Sequence, residues 1–260
     1  MDTGRLSSTI IEAGNLIFDE KLVSDVTIKG EADYVTRADM AVQEFLREKL
    51  SKIYPGAGFI SEENATNNYT AQDAVWILDP VDGTTNLTHH YGLSALSLGL
   101  YEGGVGKFGA IYNPVSRELF SATRGEGAYL NGRPIRTSVK QNFSSCLANY
   151  EFAPYYKDTS GLSFEIGREL FLRCQDIRSL GSAALGLVYV ACGRADLFVS
   201  RNLKPWDHAA ADIIISEAGG FVTDFAGNPP ALDGVCSVAA GCEGLRPQLL
   251  DFVGRFAARV

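Results

Sequence analysis

Carboxylates at close spacing are the residues most able to do chemistry in this chain. In Trp76-Ile77-Leu78-Asp79-Pro80-Val81-Asp82-Gly83-Thr84-Thr85-Asn86, an apolar run delivers Asp79 to what reads as the carboxyl end of a strand, where sheet-based sites gather. Pro80 fixes the chain, and an extended segment returns Asp82 to the same side two residues later. Carboxylates that close repel each other unless a cation neutralises them, and an all-oxygen donor set suits a hard ion such as Mg²⁺. Gly83 permits close backbone approach, and Thr84-Thr85 can open a helical turn whose free N–H groups face an anion such as phosphate. In isolation the same residues serve equally well as a turn and a helix cap.

Two further stretches bear on that choice. Glu62 and Glu63 follow the apolar run at residues 58–61, which adds carboxylate at a second strand end or else a solvated loop. In Trp206-Asp207-His208-Ala209-Ala210-Ala211-Asp212, Asp207 stands at the start of a helix. It reads as a cap, or as one more member of the carboxylate set that the helix dipole helps keep ionised. His89, His90 and His208 lie in no nucleophile context; the first two read as loop residues and His208 as helix surface or support behind the site. The G-x-G-x-x-G at residues 104–109 falls between two alternating strands with no helix after it, so it reads as a hairpin and not a dinucleotide site.

The elements that must position these residues follow from periodicity. Residues 6–20 and 39–53 carry apolar stripes at helical spacing, the second stopped by Tyr54-Pro55. Residues 58–61 and 75–78 are short buried strands, 96–100 and 108–112 alternate as strands, and Asn131-Gly132 is a hairpin turn. Further on, Ser182 caps a helix to about Ala191, a strand covers 195–199, and a helix opening at Asp207 runs to about Ala218. Gly219-Gly220 ends that helix, 221–224 is a strand, and 248–257 is a final amphipathic helix. Helices and strands mixed with hairpins favour a layered α/β or α+β sandwich over a pure doubly wound sheet. A soft boundary near residues 138–160 divides the chain into halves, 1–140 and 141–260, that form one compact unit.

Bulk properties narrow the function. The 260 residues are 46% apolar and 21% charged, which describes an ordinary globular chain long enough to bury its own core. A net charge of −8 with no Lys or Arg run leaves no electrostatic footprint for nucleic acid or an anionic membrane. The five cysteines show no C-x-x-C spacing, and with no leader read at the N-terminus they point to reduced thiols and a cytoplasmic setting. Zinc is not expected, since Cys and His are few and scattered.

Taken together, residues 33–39, 59–63, 79–86, 177–184 and 206–220 resemble the inositol monophosphatase family of magnesium-dependent, lithium-sensitive phosphatases. The resemblance spans nearly the whole chain. It implies a layered α-β-α-β-α sandwich, a homodimer, and two or three Mg²⁺ ions for which Mn²⁺ can substitute. By the same resemblance Glu62, Asp79 and the Val81 carbonyl hold a first ion. Asp79, Asp82 and Asp207 hold a second, and Glu62 helps with a third. Gly83 and Thr84 donate backbone N–H groups to phosphate. Thr84, paired with Asp39, joins Glu62 in orienting and deprotonating the attacking water. Gly181, Ser182 and Ala183, with Asp82 and Asp207, meet the alcohol portion of the substrate. Lys29 sits near the family's basic position. Where animal members carry an acidic residue that reads inositol hydroxyls, this chain has Ser200 followed by Arg201, a pair that could accept a second anionic group. The implied activity is hydrolysis of a small phosphate monoester, inositol monophosphate-like. Histidinol phosphate and fructose 1,6-bisphosphate are alternatives within the superfamily, and a non-catalytic metal- and phosphate-binding regulator is the alternative outside it.

Overall fold

The computed structural model describes residues 2–30, 33–63 and 73–260. Helices α1 (Thr3–Gly14) and α2 (Glu20–Val23) are joined by a 3-10 turn over Asn15–Phe18. An antiparallel ribbon of β1 (Val26–Gly30) and β2 (Asp33–Thr36) leads into α3 (Arg37–Ile53). Next come β3 (Gly58–Ser61), β4 (Ala74–Asp82), the short helix α4 (Thr84–Thr88), β5 (Ala95–Glu102), β6 (Val105–Asn113), β7 (Glu118–Thr123), β8 (Gly127–Leu130) and β9 (Arg133–Ile135). Strands β3 to β9 form a seven-stranded sheet in chain order, parallel between β3 and β4 and antiparallel beyond. The rest of the chain is β10 (Leu147–Glu151), α5 (Ser160–Arg173), β11 (Asp176–Arg178), α6 (Ala183–Ala191), β12 (Leu197–Leu203), α7 (Pro205–Glu217), β13 (Gly220–Asp224), β14 (Cys236–Cys242) and α8 (Arg246–Gly254). Its strands make a five-stranded sheet in the order β11-β10-β12-β14-β13.

Side-chain alternation along the strands explains the layering. Successive side chains of a strand point to opposite faces. On β4, Trp76 and Leu78 pack with Leu6, Ile10, Leu46 and Leu50 of α1 and α3. Val75 and Ile77 face the other way, into a core shared with α6 and α7. The second sheet repeats the pattern. Phe198 and Ala240 join the α6–α7 core, while Val199 and Ala239 turn outward to Ile166 and Leu170 of α5 and Phe252 of α8. The expected α-β-α-β-α sandwich is therefore the observed one. Helices α6 and α7 lie between two sheets, which is why AALGLVYVA is apolar on every side and the middle of α7 is apolar apart from Asp212. Gly109 on β6 allows that fit, because a Cβ there would stand 2.4 Å from the Ala210 carbonyl oxygen of α7.

Some elements differ from the periodicity. The first helix ends at Gly14 and tightens into the 3-10 turn. Helix α7 begins with Pro205 at its first turn, so Asp207 is the third helical residue and not the cap. Helix α5 escapes the stripe pattern because its outer side carries exposed Phe164, Phe171 and Leu172, which blur the amphipathic contrast. Strand β14, CSVAAGC, is made of small residues that give little strand signal. The hairpin readings hold at Asn131-Gly132, between β8 and β9, and at residues 104–109, where β5 turns into β6. All five cysteines are free, and among the described residues no helix is long and apolar enough to cross a membrane.

Candidate functional site

Strand β4 carries Asp79 and Asp82 to its end. The ladder with β5 skips between them, which lets Val81 N–H fold back and donate to Asp79 Oδ1 at 3.0 Å. β3 runs parallel and ends beside this point, and Glu62 N–H donates to the Leu78 carbonyl at 3.3 Å. Glu62 and Glu63 are half-buried. From the middle layer, α7 brings Asp207, whose Oδ2 accepts the N–H of the cap residue Lys204 at 2.7 Å, the return bond of a capping box. One carboxylate oxygen from each of Asp79, Asp82 and Asp207 lies within 4.8 Å of the others.

The chain turns sharply after Asp82. Gly83 has φ of 84°, and a Cβ there would lie 3.0 Å from the Gly181 carbonyl and 3.1 Å from that of Leu93. Only glycine meets both demands. Thr84 then opens α4, with its Oγ1 3.0 Å from the Val81 carbonyl and 3.3 Å from Asp39 Oδ1. Asp39 is fully buried and belongs to the capping box of α3: its Oδ2 accepts the Thr36 N–H at 2.8 Å and the Thr36 hydroxyl at 2.6 Å.

A loop between the second sheet and α6 closes the site. Ser182 caps α6 and its hydroxyl donates to Asp82 Oδ2. The Ala184 N–H donates to the same oxygen at 3.0 Å and the Ala183 N–H to Oδ1 at 3.2 Å. Asn86 Nδ2 donates to the carbonyls of Leu93, Leu180 and Gly181 at 2.7, 2.8 and 3.2 Å.

The electrostatics express crowding. Burial pushes Asp79 well above the usual carboxylate range, and Glu62, Asp82, Asp207 and Asp39 add to it by repulsion. Burial lifts Asp82 to about 6 against the hydrogen bonds from 182–185 that lower it. Asp207 is raised to about 7, by burial first and then by Asp82. Asp39 is raised by burial, opposed by Thr36 and Thr84. These carboxylates are held close at the cost of their own ionisation, and oxygen donors so arranged fit a hard divalent cation.

Other sequence expectations land elsewhere. Ser200 is buried, with Oγ on the Glu151 carbonyl at 3.1 Å. Arg201 is also buried, its guanidinium donating to Thr159 O and Ser163 Oγ, both at 3.1 Å, on the α5 side of the sheet. The pair is therefore engaged within the fold. Lys29 lies on β1, with its side chain outside the described residues. His89 and His90 sit in the exposed turn after α4. His208 is not at the surface: it is 1% exposed, with Nε2 3.7 Å from Cys236 Sγ, and burial lowers it to about 4. Sequence reasoning missed Glu151, which is the last residue of β10 as Asp82 is of β4.

The chain matches the inositol monophosphatase family over residues 5–251. It belongs to the inositol monophosphatase family. Among family relatives, the inositol-1-monophosphatase of Mesorhizobium japonicum is 38% identical over 236 residues, covering 91% of this chain and 88% of that one. The Nus factor SuhB of Escherichia coli (strain K12) is 38% identical over 219 residues, covering 83% and 82%. The solved IMPase of Thermotoga maritima superimposes with a TM-score of 0.87 at 31% identity, covering 100% of this chain and 99% of its own. In this family setting the cluster of Asp79, Asp82 and Asp207 is an acidic group able to hold a metal ion.

Proposed function

We propose that the chain is a Mg²⁺-dependent phosphatase acting on small phosphate monoesters by direct attack of water. The observation that carries this reading is the convergence of Asp79, Asp82 and Asp207 from two different layers to within 4.8 Å. Three carboxylates in a shielded pocket are unfavourable unless cations share them. In the proposal Glu62, Asp79 and the Val81 carbonyl hold one Mg²⁺, Asp79, Asp82 and Asp207 a second, and Glu62 helps with a third. When bound, the ions lower the pKa of water and stabilise charge on the attacking and leaving oxygens.

The chain's own groups do the rest. The Thr84 hydroxyl, shared between Asp39 Oδ1 and the Val81 carbonyl, is placed to orient the attacking water. Asp39 fixes that hydroxyl, and Glu62 supplies the second basic group for the proton. The first amides of α4, at Gly83 and Thr84, have no intrahelical acceptor and are assigned to the phosphate. The loop at Gly181, Ser182 and Ala183 is assigned to the alcohol, and its bonds to Asp82 support a second duty as a clamp on that carboxylate. A homodimer is proposed through the exposed outer side of α5, which carries Phe164, Phe171 and Leu172, with the Phe152 ring 5.0 Å from that of Phe164.

Kinship to proteins named Nus factor SuhB supports a second reading, a non-catalytic binding role. Phosphate release separates the two. The panel is inositol 1-phosphate, histidinol phosphate, fructose 1,6-bisphosphate and adenosine 3′,5′-bisphosphate, with Mg²⁺, with EDTA, and with Mg²⁺ plus Li⁺. Turnover that EDTA removes and Asp82→Asn abolishes is the expected result. Folded wild-type protein without turnover on any member would favour the binding role.

A further inference from the structure

Glu151 ends β10 and is 5% exposed, with no cationic partner in any described ion pair. Its carboxylate is spent on one loop. Oε1 accepts the Leu180 N–H at 2.6 Å, and Oε2 accepts the Gly181 N–H at 3.0 Å and the Ser179 hydroxyl at 2.9 Å. Asn86 holds the carbonyls of the same two residues from the opposite flank. The Leu180-Gly181 segment is thus gripped by its donors on one side and its acceptors on the other. The next three residues, Ser182, Ala183 and Ala184, all donate to Asp82. Behind Glu151, Ser200 Oγ anchors its carbonyl, and Asn149 Nδ2 ties the same strand to the Gly186 carbonyl of α6 at 2.9 Å.

We infer that Glu151 is a positioning residue for the cation site: it holds the 179–182 loop in the one placement that aims Ser182, Ala183 and Ala184 at Asp82. The inference rests on the reading of Asp79, Asp82 and Asp207 as a cation site. A buried carboxylate has acceptor positions enough for the loop's three donors, and its charge strengthens each bond. Glutamine offers one acceptor oxygen, and its amide hydrogens oppose the loop's own N–H groups. Aspartate keeps the charge but is one methylene too short to reach the loop from β10. Groups that orient a metal ligand typically govern metal affinity by about tenfold to a hundredfold.

The test measures Mn²⁺ binding by electron paramagnetic resonance, without substrate, in wild type, Glu151→Gln, Glu151→Asp and Tyr150→Phe. Tyr150 is the neighbour on the same strand; its hydroxyl donates to the Ser163 carbonyl, away from the loop, so its variant controls for the loss of a buried hydrogen bond on β10. Amide hydrogen exchange over residues 179–184 is followed in parallel. Both Glu151 variants are expected to bind Mn²⁺ about tenfold more weakly with faster exchange in that segment, while Tyr150→Phe binds as wild type. Wild-type affinity in Glu151→Asp would mean that charge alone matters and would overturn the inference. So would wild-type affinity in Glu151→Gln, or an equal loss in Tyr150→Phe. Wild-type protein that binds no Mn²⁺ would sink the cation-site reading itself, and this inference with it.

Discussion

Asp82 and Thr84 stand two residues apart on one turn yet are assigned different work, and that difference can be measured. Asp82 accepts three hydrogen bonds from the 182–184 segment and stays within reach of Asp79 and Asp207. Thr84 contacts no member of that trio in the described bonds; its hydroxyl is tied to Asp39 and Val81. Asp82→Asn is therefore expected to remove the ion shared by Asp79, Asp82 and Asp207, and turnover with it. Thr84→Ala should lower kcat by about 100-fold, the scale of a positioned proton-transfer group, while Mn²⁺ affinity stays near wild type. Titration calorimetry beside steady-state kinetics checks both. Equal loss of Mn²⁺ affinity in Thr84→Ala would remove the assignment of its hydroxyl to water.

At the scale of elements, α7 carries two carboxyls that burial raises. One face supplies Asp207, while another sets half-buried Asp212 beside Tyr101 of β5, whose hydroxyl lies 3.3 Å from Asp212 Oδ2 and 2.9 Å from the Ala209 carbonyl. Burial raises Asp212 to about 6, against Tyr101, Ser216 and Arg124, which lower it. A carboxyl raised on folding favours the folded state fully below its unfolded pKa, and that advantage is lost as pH rises through the folded value. Ionised Asp212 at pH 7 thus costs up to about 3 kcal/mol, at 1.36 kcal/mol per unit. Asp212→Asn should melt higher than wild type at pH 7, with the gap closing as pH falls from about 6 towards 4. Thermal unfolding across that range is the measurement, and a gap that widens on acidification would refute the account.

The whole molecule brings the cluster together, so a bound ion ties the seven-stranded sheet to the middle layer. Ligand that binds only the folded state stabilises it by mass action, about 2.7 kcal/mol at a hundredfold excess over Kd. For a chain of this size that amounts to roughly 5–10 °C. Mg²⁺ should raise Tm by that amount in wild type and by less in Asp82→Asn. The outer side of α5 sets a second expectation. Phe164 and Phe171 are 63% and 57% exposed, more than a soluble surface readily carries for two aromatics on one helix. Phe164→Asp with Phe171→Asp should convert a dimer to a monomer in light scattering, without unfolding it. A wild-type monomer would remove that part of the proposal.

Local chemistry determined much of this protein. Apolar runs buried on both faces, the cap at Ser182, the Thr36–Asp39 box and the turn at Gly83 are written in short stretches, because each depends on near neighbours. So the strand ends, the family and the acidic residues of the site were legible in the residues themselves. Tertiary structure alone decided which carboxylates meet and which polar residues face the site. Asp82 and Asp207 are 125 positions apart in numbering, and only packing α7 between two sheets joins them. Ser200 and Arg201 look like a substrate contact from their distance to Asp207, yet strand alternation and the register with β10 and β14 send Arg201 to Ser163 and Ser200 to Glu151. Glu151 acquires its place in the site only because the 179–181 loop folds onto it. A side chain's direction depends on the pleat and its partners, and those contacts come from residues far away in sequence.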